Sequence, residues 1–279
     1  AIRYDRGTVT IDGKEYPMRD MNFPTVDPAD PLRLTDEEEE LLHTLELSFR
    51  HNARLHEHVR FLYSNGSMYK CCNSNLLYHG CIPMTENREF DGLMVGGKMD
   101  RGKGLMDFID TQVKNAYFLP EDAPEKEACR DFMWYLWNGA KSPVFGKDKN
   151  RSFEHYFIED PEVMRETMNP YYQLSEEEET CDMILKEFGL PTKGSHIING
   201  HMPVKIKSGE TPIRAGGKLF IIDGGLSKAY QERTGIAGYT LIFNSHHLAL
   251  AEHKPFDPER ERTPKVYIVE KMQKRITVA

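Results

Sequence analysis

No stretch of the sequence is both long and apolar enough to cross a bilayer, and the opening residues AIRYDRGTV lack a charged region followed by an apolar core. Neither a membrane span nor a secretory leader is expected, and the chain reads as cytoplasmic. Positive charge is scarce: 36 Lys and Arg face 44 Asp and Glu, for a net charge of −8. That balance excludes nucleic acid as an electrostatic partner, because polyanion binding needs a basic surface. Cysteine is scarce and unpaired. Cys71, Cys72, Cys81, Cys129 and Cys181 form an odd set without a C-x-x-C spacing, which excludes a zinc knuckle and a disulfide framework and fits reduced thiols. Internal repeats and low-complexity tracts are missing too.

What is present points to an α/β chain, with 279 residues enough for one large domain. Residues 1–34 carry Pro17, Pro24, Pro28 and Pro31; apart from a hairpin expected around Asp12-Gly13, they read as extended chain. Residues 35–100 begin with a capping box, Thr35 and Glu38, and an acidic first turn, Asp36 to Glu40. Leu41, Leu45, Phe49, Leu55, Val59 and Leu62 then predict one long amphipathic helix to about Tyr63, followed by short strands. Residues 101–190 read as a helical insertion, with periodicity over 103–119, 122–138 and 152–168 and a last helix capped by Ser175 and Glu178. Residues 191–279 read as a β-rich closing module that includes Val266 to Val269 and ends abruptly at RITVA. The four segments together make one domain on this reading. Met68, Met84, Met94 and Met99 are expected as core filler, and Trp134 and Trp137 as packing anchors.

Chemistry concentrates at strand ends. Ile197-Ile198 stops at Asn199-Gly200 and delivers His201; Leu76-Leu77-Tyr78 leads into His79-Gly80. Leu219 to Ile222 stops at Asp223-Gly224-Gly225, and Tyr239 to Phe243 stops at Asn244-Ser245. Either histidine taken singly is more often a hydrogen-bonded loop residue than a metal ligand. Two matching strand-end sites weigh differently, because neutral imidazole is the commonest transition-metal ligand. Asp223 reads either as the carboxylate that orients a ligand histidine or as a turn residue. Among the cations of this stretch (Lys205, Lys207, Arg214, Lys218, Lys228 and Arg233), Lys228 and Arg233 are the candidate phosphate contacts.

The segments LLYHGCIP and INGHMPV resemble the last two metal-ligand motifs of calcineurin-like metallophosphoesterases, and IIDGGLSKAYQERTGIAGYTLIFN is similar to their closing hairpin. TIDGKEYPMRDMNFPTVDP, HVRFLYSNGSMYKCCNSNLLYHGCIPM, GKGLMDFID, FGKDK, NPYY, EFGL and HIINGHMPVKIKSGETPI resemble the bacterial class III fructose-1,6-bisphosphatases more closely still. The resemblance implies part of a metallophosphoesterase-like β-sandwich flanked by helices. It further implies a hydrolase of gluconeogenesis that removes the 1-phosphate of fructose 1,6-bisphosphate at a binuclear, typically manganese, centre, with His79 and His201 on one metal. The family's D-x-H, G-D-x-x-D and G-N-H motifs are missing, and GGKMDRG at 96–102 carries Gly97 where the bridging Asp would stand. Two neutral imidazoles without a bridging carboxylate cannot hold two dications close together. The chain is therefore expected to be the C-terminal portion of a longer enzyme, completed by a missing N-terminal half. No catalytic group beyond the two ligands is expected in it, nor activity alone, and oligomers are possible through uncovered apolar surface. A fragment of a phosphoprotein or dinucleotide phosphatase, or a non-catalytic binding or assembly chain of the same fold, are the alternatives.

Overall fold

The computed structural model describes residues 2–225, 227–235, 238–253 and 265–271, with the backbone alone at Lys228, Gln231 and Lys265–Lys271. They form a mixed α/β structure that divides into two compact units, Ala1–Gly66 with Lys147–Thr167, and Ser67–Gly146 with Met168–Ala279. The terminal RITVA lies outside the described residues.

The first unit opens with an antiparallel sheet of β1 (Ile2–Arg3), β2 (Thr8–Ile11) and β3 (Lys14–Pro17). The expected hairpin is there: Asp12 and Gly13, at φ 50° and 81°, make the two-residue turn between β2 and β3. Helix α1 (Asp36–Arg50) starts at the expected capping box, with Glu38 N–H donating to Thr35 Oγ1 at 3.3 Å and Thr35 N–H to Glu38 at 2.8 Å. The single long helix is in fact two. The run breaks at His51-Asn52, where the Asn52 side chain accepts from Leu55 N–H at 3.0 Å and caps α2 (Ala53–Asn65). An Asn that offers its own acceptor competes with the helical carbonyl, a local signal that periodicity does not register. Neither helix has a buried residue.

In the second unit β4 (Tyr69–Cys72) and β5 (Asn75–Tyr78) form a hairpin, and a second hairpin, β6 (Gly92–Val95) and β7 (Lys98–Arg101), follows. Gly96-Gly97 of GGKMDRG is simply the turn of the latter. Helices α3 (Gly102–Phe118) and α4 (Lys126–Asn138) pack through Leu105, Ile109 and Leu136. Helix α5 (Ser152–Phe157) returns to the first unit, where Ile158 and Val163 bury against Val9. It does not run to 168: the chain is already extended at Ile158, and Pro161 disfavours helix at Asp160 just beyond. Helix α6 (Tyr171–Leu174) and α7 (Glu178–Glu187) complete the helical stretch. Ser175 closes α6 and does not cap α7.

The central sheet has the order β4-β5-β8-β10-β9, with β8 (His196–Asn199), β9 (Ile213–Arg214) and β10 (Leu219–Ile221). Strands β5, β8 and β10 are parallel and the edges antiparallel. Short helix α8 (Lys228–Thr234) leads to an antiparallel sheet of β11 (Gly238–Phe243), β12 (His247–His253) and β13 (Lys265–Lys271). One face of the central sheet buries Leu76, Tyr78, Ile197 and Leu219 against Tyr171, Cys181, Ile184 and Leu185 of α6 and α7. The other buries Ile198 and Phe220 against Leu248 of β12 and Leu241 and Phe243 of β11, so two sheets pack face to face. Three core assignments need correction. Met94 is 63% exposed beside the β6–β7 turn, and Trp134 and Trp137, 66% and 59% exposed, pack on each other at 5.0 Å on the outer face of α4. Helical periodicity locates an apolar stripe, but only the partner decides whether the stripe is covered.

Candidate functional site

Three parallel strands put their carboxyl ends on one edge of the central sheet, and their exit residues meet there. β5 is followed directly by His79, β8 by Gly200 and His201, and β10 by Ile222 and Asp223. Such an edge is where open parallel sheets place ligands. The two histidine turns are fastened to each other, with Gly200 N–H donating to the His79 carbonyl at 2.9 Å. Gly80 must be glycine, because a Cβ there would stand 2.5 Å from the Pro143 carbonyl oxygen. His201 holds φ 63°, a left-handed conformation costing an ordinary residue roughly 1–2 kcal/mol. In this conformation its ring lies beside that of His79. The outcome is His79 Nε2 at 3.0 Å from His201 Nδ1, with ring centroids 4.9 Å apart.

The hydrogen bonds define the tautomers. His201 Nε2 lies 3.0 Å from the Phe145 carbonyl, which only accepts, so Nε2 carries the proton. In a neutral ring Nδ1 is then a bare acceptor, and His79 Nε2–H donates to it. A carbonyl holding the far nitrogen of an imidazole, leaving the near one as a lone pair, is how metal-ligating histidines are oriented. Burial pushes the His79 pKa below its usual value, the neighbouring His201 pushes the same way, and the Asp223 charge opposes both. Burial and the neighbouring ring thus both favour the neutral form of His79, the form that ligates a metal. The separation also suits a cation: two nitrogens each about 2.1 Å from one metal at a right angle stand roughly 3.0 Å apart. Among the described residues no group of three His, Cys, Asp or Glu is placed to hold a metal. The donor set fits one edge of a coordination shell and not a whole one.

Beside the pair opens a cavity of about 660 Å³ lined by His79, His201 and Asp223 together with Tyr230, Tyr239 and His253. Asp223 accepts from Gly225 N–H at 2.7 Å, which is the turn role; on His79 it acts through its charge and not through a hydrogen bond to the ring. Arg233 is exposed on α8 and is not among the cavity-lining residues. The Lys228 side chain lies outside the described residues. Lys207 donates to the Glu232 carbonyl at 2.5 Å, Arg214 pairs with Glu176 at 2.8 Å, and Lys218 pairs with Asp182 at 2.6 Å. Sequence reasoning missed Tyr239, His253 and the Phe145 carbonyl. The first two lie on β11 and β12, outside the sheet that carries the histidines, and a backbone carbonyl leaves no mark in a sequence.

The model of the Firmicute fructose-1,6-bisphosphatase family matches residues 1–279. A "Fructose-1,6-bisphosphatase class 3" of Bacteroides fragilis is 52% identical over 255 residues, covering 91% of this chain and 38% of that protein. One of Fusobacterium nucleatum is 51% identical over 255 residues (91% and 40%), and one of Alkaliphilus metalliredigens 52% over 258 residues (92% and 39%). The chain thus spans about two fifths of the length of the curated relatives it matches. No solved structure matches it.

Proposed function

We propose, since the chain belongs to the Firmicute fructose-1,6-bisphosphatase family, that it forms part of the catalytic centre of a fructose 1,6-bisphosphate 1-phosphohydrolase of gluconeogenesis. The observation that carries this reading is the 3.0 Å approach of His79 Nε2 to His201 Nδ1 at neighbouring parallel strand tips. His79 and His201 are two ligands of one metal of a manganese pair; the remaining ligands come from polypeptide outside these residues. On this reading the sheets that pack face to face, with α6 and α7 on the outer side, would be one part of a metallophosphoesterase-like sandwich.

When bound, such metals supply Lewis acidity at the phosphoryl group. The chain's own contribution is orientation. The Phe145 carbonyl keeps the proton of His201 on Nε2 and its lone pair on Nδ1. His79 Nε2, which donates to His201 Nδ1, would be the nitrogen offered to a cation, with the ring proton on Nδ1 in that case. Pro203 and Tyr239 line the cavity beside the rings. The described lining contains no Lys or Arg, so the phosphate groups are gripped by cations from elsewhere.

The experiment is phosphate release from fructose 1,6-bisphosphate with Mn²⁺, run on this chain alone and on the full-length protein. Turnover by the full-length protein and none by the chain is expected, with loss in full-length His79→Ala and His201→Ala. Manganese-dependent turnover by the chain alone refutes the incomplete-site reading. Preference of the full-length protein for phosphopeptides or dinucleotides over sugar bisphosphates refutes the substrate assignment.

A further inference from the structure

The helix-facing side of the central sheet is apolar along β5 and β8, with Leu76, Tyr78 and Ile197 in it, until the last residue of β8, where Asn199 takes the next inward position. Asn199 is 4% exposed. Its Nδ2 donates to the Gly80 carbonyl at 3.1 Å and to Tyr171 Oη at 2.8 Å. Tyr171 Oη shares a second hydrogen bond with Tyr78 Oη, 2.6 Å away. Burial pushes both phenols well above their ordinary pKa, so they stay neutral donors and acceptors. The Asn199 Oδ1 atom is buried without a hydrogen-bond partner. A core amide that leaves one polar atom unsatisfied carries a desolvation cost that an apolar side chain would not. Packing alone gives no reason to place it there.

Its position does give a reason. Gly80 follows His79, and Asn199 precedes the Gly200-His201 turn. The amide therefore fastens the two histidine turns together from below, while Gly200 N–H and the His79 carbonyl fasten them through the backbone at 2.9 Å. Tyr171, wholly buried on α6, fixes the amide, and Tyr78, the residue before His79, fixes Tyr171. The geometry points to Asn199 as a positioning residue that sets the separation and relative orientation of the His79 and His201 rings, with Tyr171 and Tyr78 holding it in place. The inference deepens the proposed metal-ligand role and rests on it for its purpose, while the ring geometry it explains needs no metal.

The test therefore reads the rings directly. In the ¹⁵N-labelled chain, long-range ¹H–¹⁵N spectra report which ring nitrogen of His79 and His201 carries hydrogen. The wild type is expected to show both as the Nε2–H tautomer. Asn199→Leu, close in volume and apolar, and Tyr171→Phe, which loses one hydroxyl, are expected to replace the single His79 tautomer by a mixture without lowering the melting temperature of Asn199→Leu. Unchanged ring spectra in both variants overturn the proposal, whatever happens to stability. Should Asn199→Leu fail to fold, Tyr171→Phe decides alone by the same criterion. Mn²⁺ titration of the full-length protein gives the separate check on the metal reading. Affinity falling about 10- to 100-fold in Asn199→Leu, as for other residues that orient a ligand, supports the proposal. A wild type that binds no Mn²⁺ removes the metal reading and leaves the ring spectra to decide on Asn199.

Discussion

Leu76 and Leu77 are adjacent on β5 and have opposite fates, which makes them a sharp test of the register on which the histidine site depends. Leu76 is 0% exposed and pairs across the sheet with Ile197, also 0% exposed; Leu77 pairs with Ile198 but is 36% exposed. Successive strand residues point to opposite faces, so a slip of one position would exchange them. Leu76→Ala leaves a cavity among α6, α7 and Ile197, and a fully buried Leu→Ala costs about 2–5 kcal/mol. At about 2–4 °C per kcal/mol for a unit of this size, a mid-range cost of about 3 kcal/mol lowers the melting temperature by roughly 6–12 °C. Leu77→Ala removes a side chain that keeps about a third of its exposure, and costs below about 1 kcal/mol, or under roughly 4 °C. Scanning calorimetry of the two variants beside the wild type measures both. Equal losses, or the larger loss at Leu77, would refute the register. The same slip would carry His79 to the other face of the sheet, so the ring pair would fall with it.

Three further outcomes follow. In the native chain Ellman's reagent is expected to titrate Cys71 and Cys72 quickly and leave Cys81, Cys129 and Cys181 unreacted, since the latter three are buried and burial pushes the thiols of Cys81 and Cys181 up to about 12; fast reaction of all five would contradict the core. Gly80→Ala forces a Cβ against the Pro143 carbonyl and is expected to destabilise by about 1–3 kcal/mol and to separate the two rings. Gly189→Ala, with open space around its Cβ and only its φ of 73° to strain, should cost about 1 kcal/mol and leave the ring spectra unchanged. In the first unit, a hydrogen bond and the charge of Arg151 hold the Asp12 carboxyl below its ordinary 3.8, and at Glu166 burial pushes up but Lys147 and the Arg151 N–H outweigh it and hold it below 4.5. Folded values below unfolded ones mean that this stability is present above about pH 4.5 and lost as pH falls through the lowered values. Protease resistance of residues 1–66 should weaken in that range, and less steeply in Asp12→Asn/Glu166→Gln; an unchanged slope would show the pairs to be energetically idle.

How much of this was legible depends on whether the signal was local. A capping box, a left-handed Asp-Gly hairpin turn and a β-branched run stopped by glycine are each written within a few residues, and Thr35–Glu38, Asp12-Gly13 and Ile198–Gly200 all fold as written. Parallel order did the rest for the histidines. Once β5 and β8 are neighbours running the same way, whatever leaves their carboxyl ends must share an edge, so two strand-end imidazoles are adjacent by topology. The exposed Trp134, Trp137 and Met94 were misread because an apolar residue in a periodic stretch looks the same whether or not a partner covers it. Asn199 was passed over for a related reason. As part of Asn199-Gly200 it reads as turn punctuation, and its side-chain partners, Gly80 and Tyr171, stand 119 and 28 residues away. Such a link has no local pattern; it is visible only as a polar residue where the alternation of β8 calls for an apolar one. That mismatch between position and residue type is what separates a strand end that merely stops from one that must hold two loops in register. A core amide at a strand tip between two histidine turns is therefore the feature whose removal should loosen the rings before it loosens the fold.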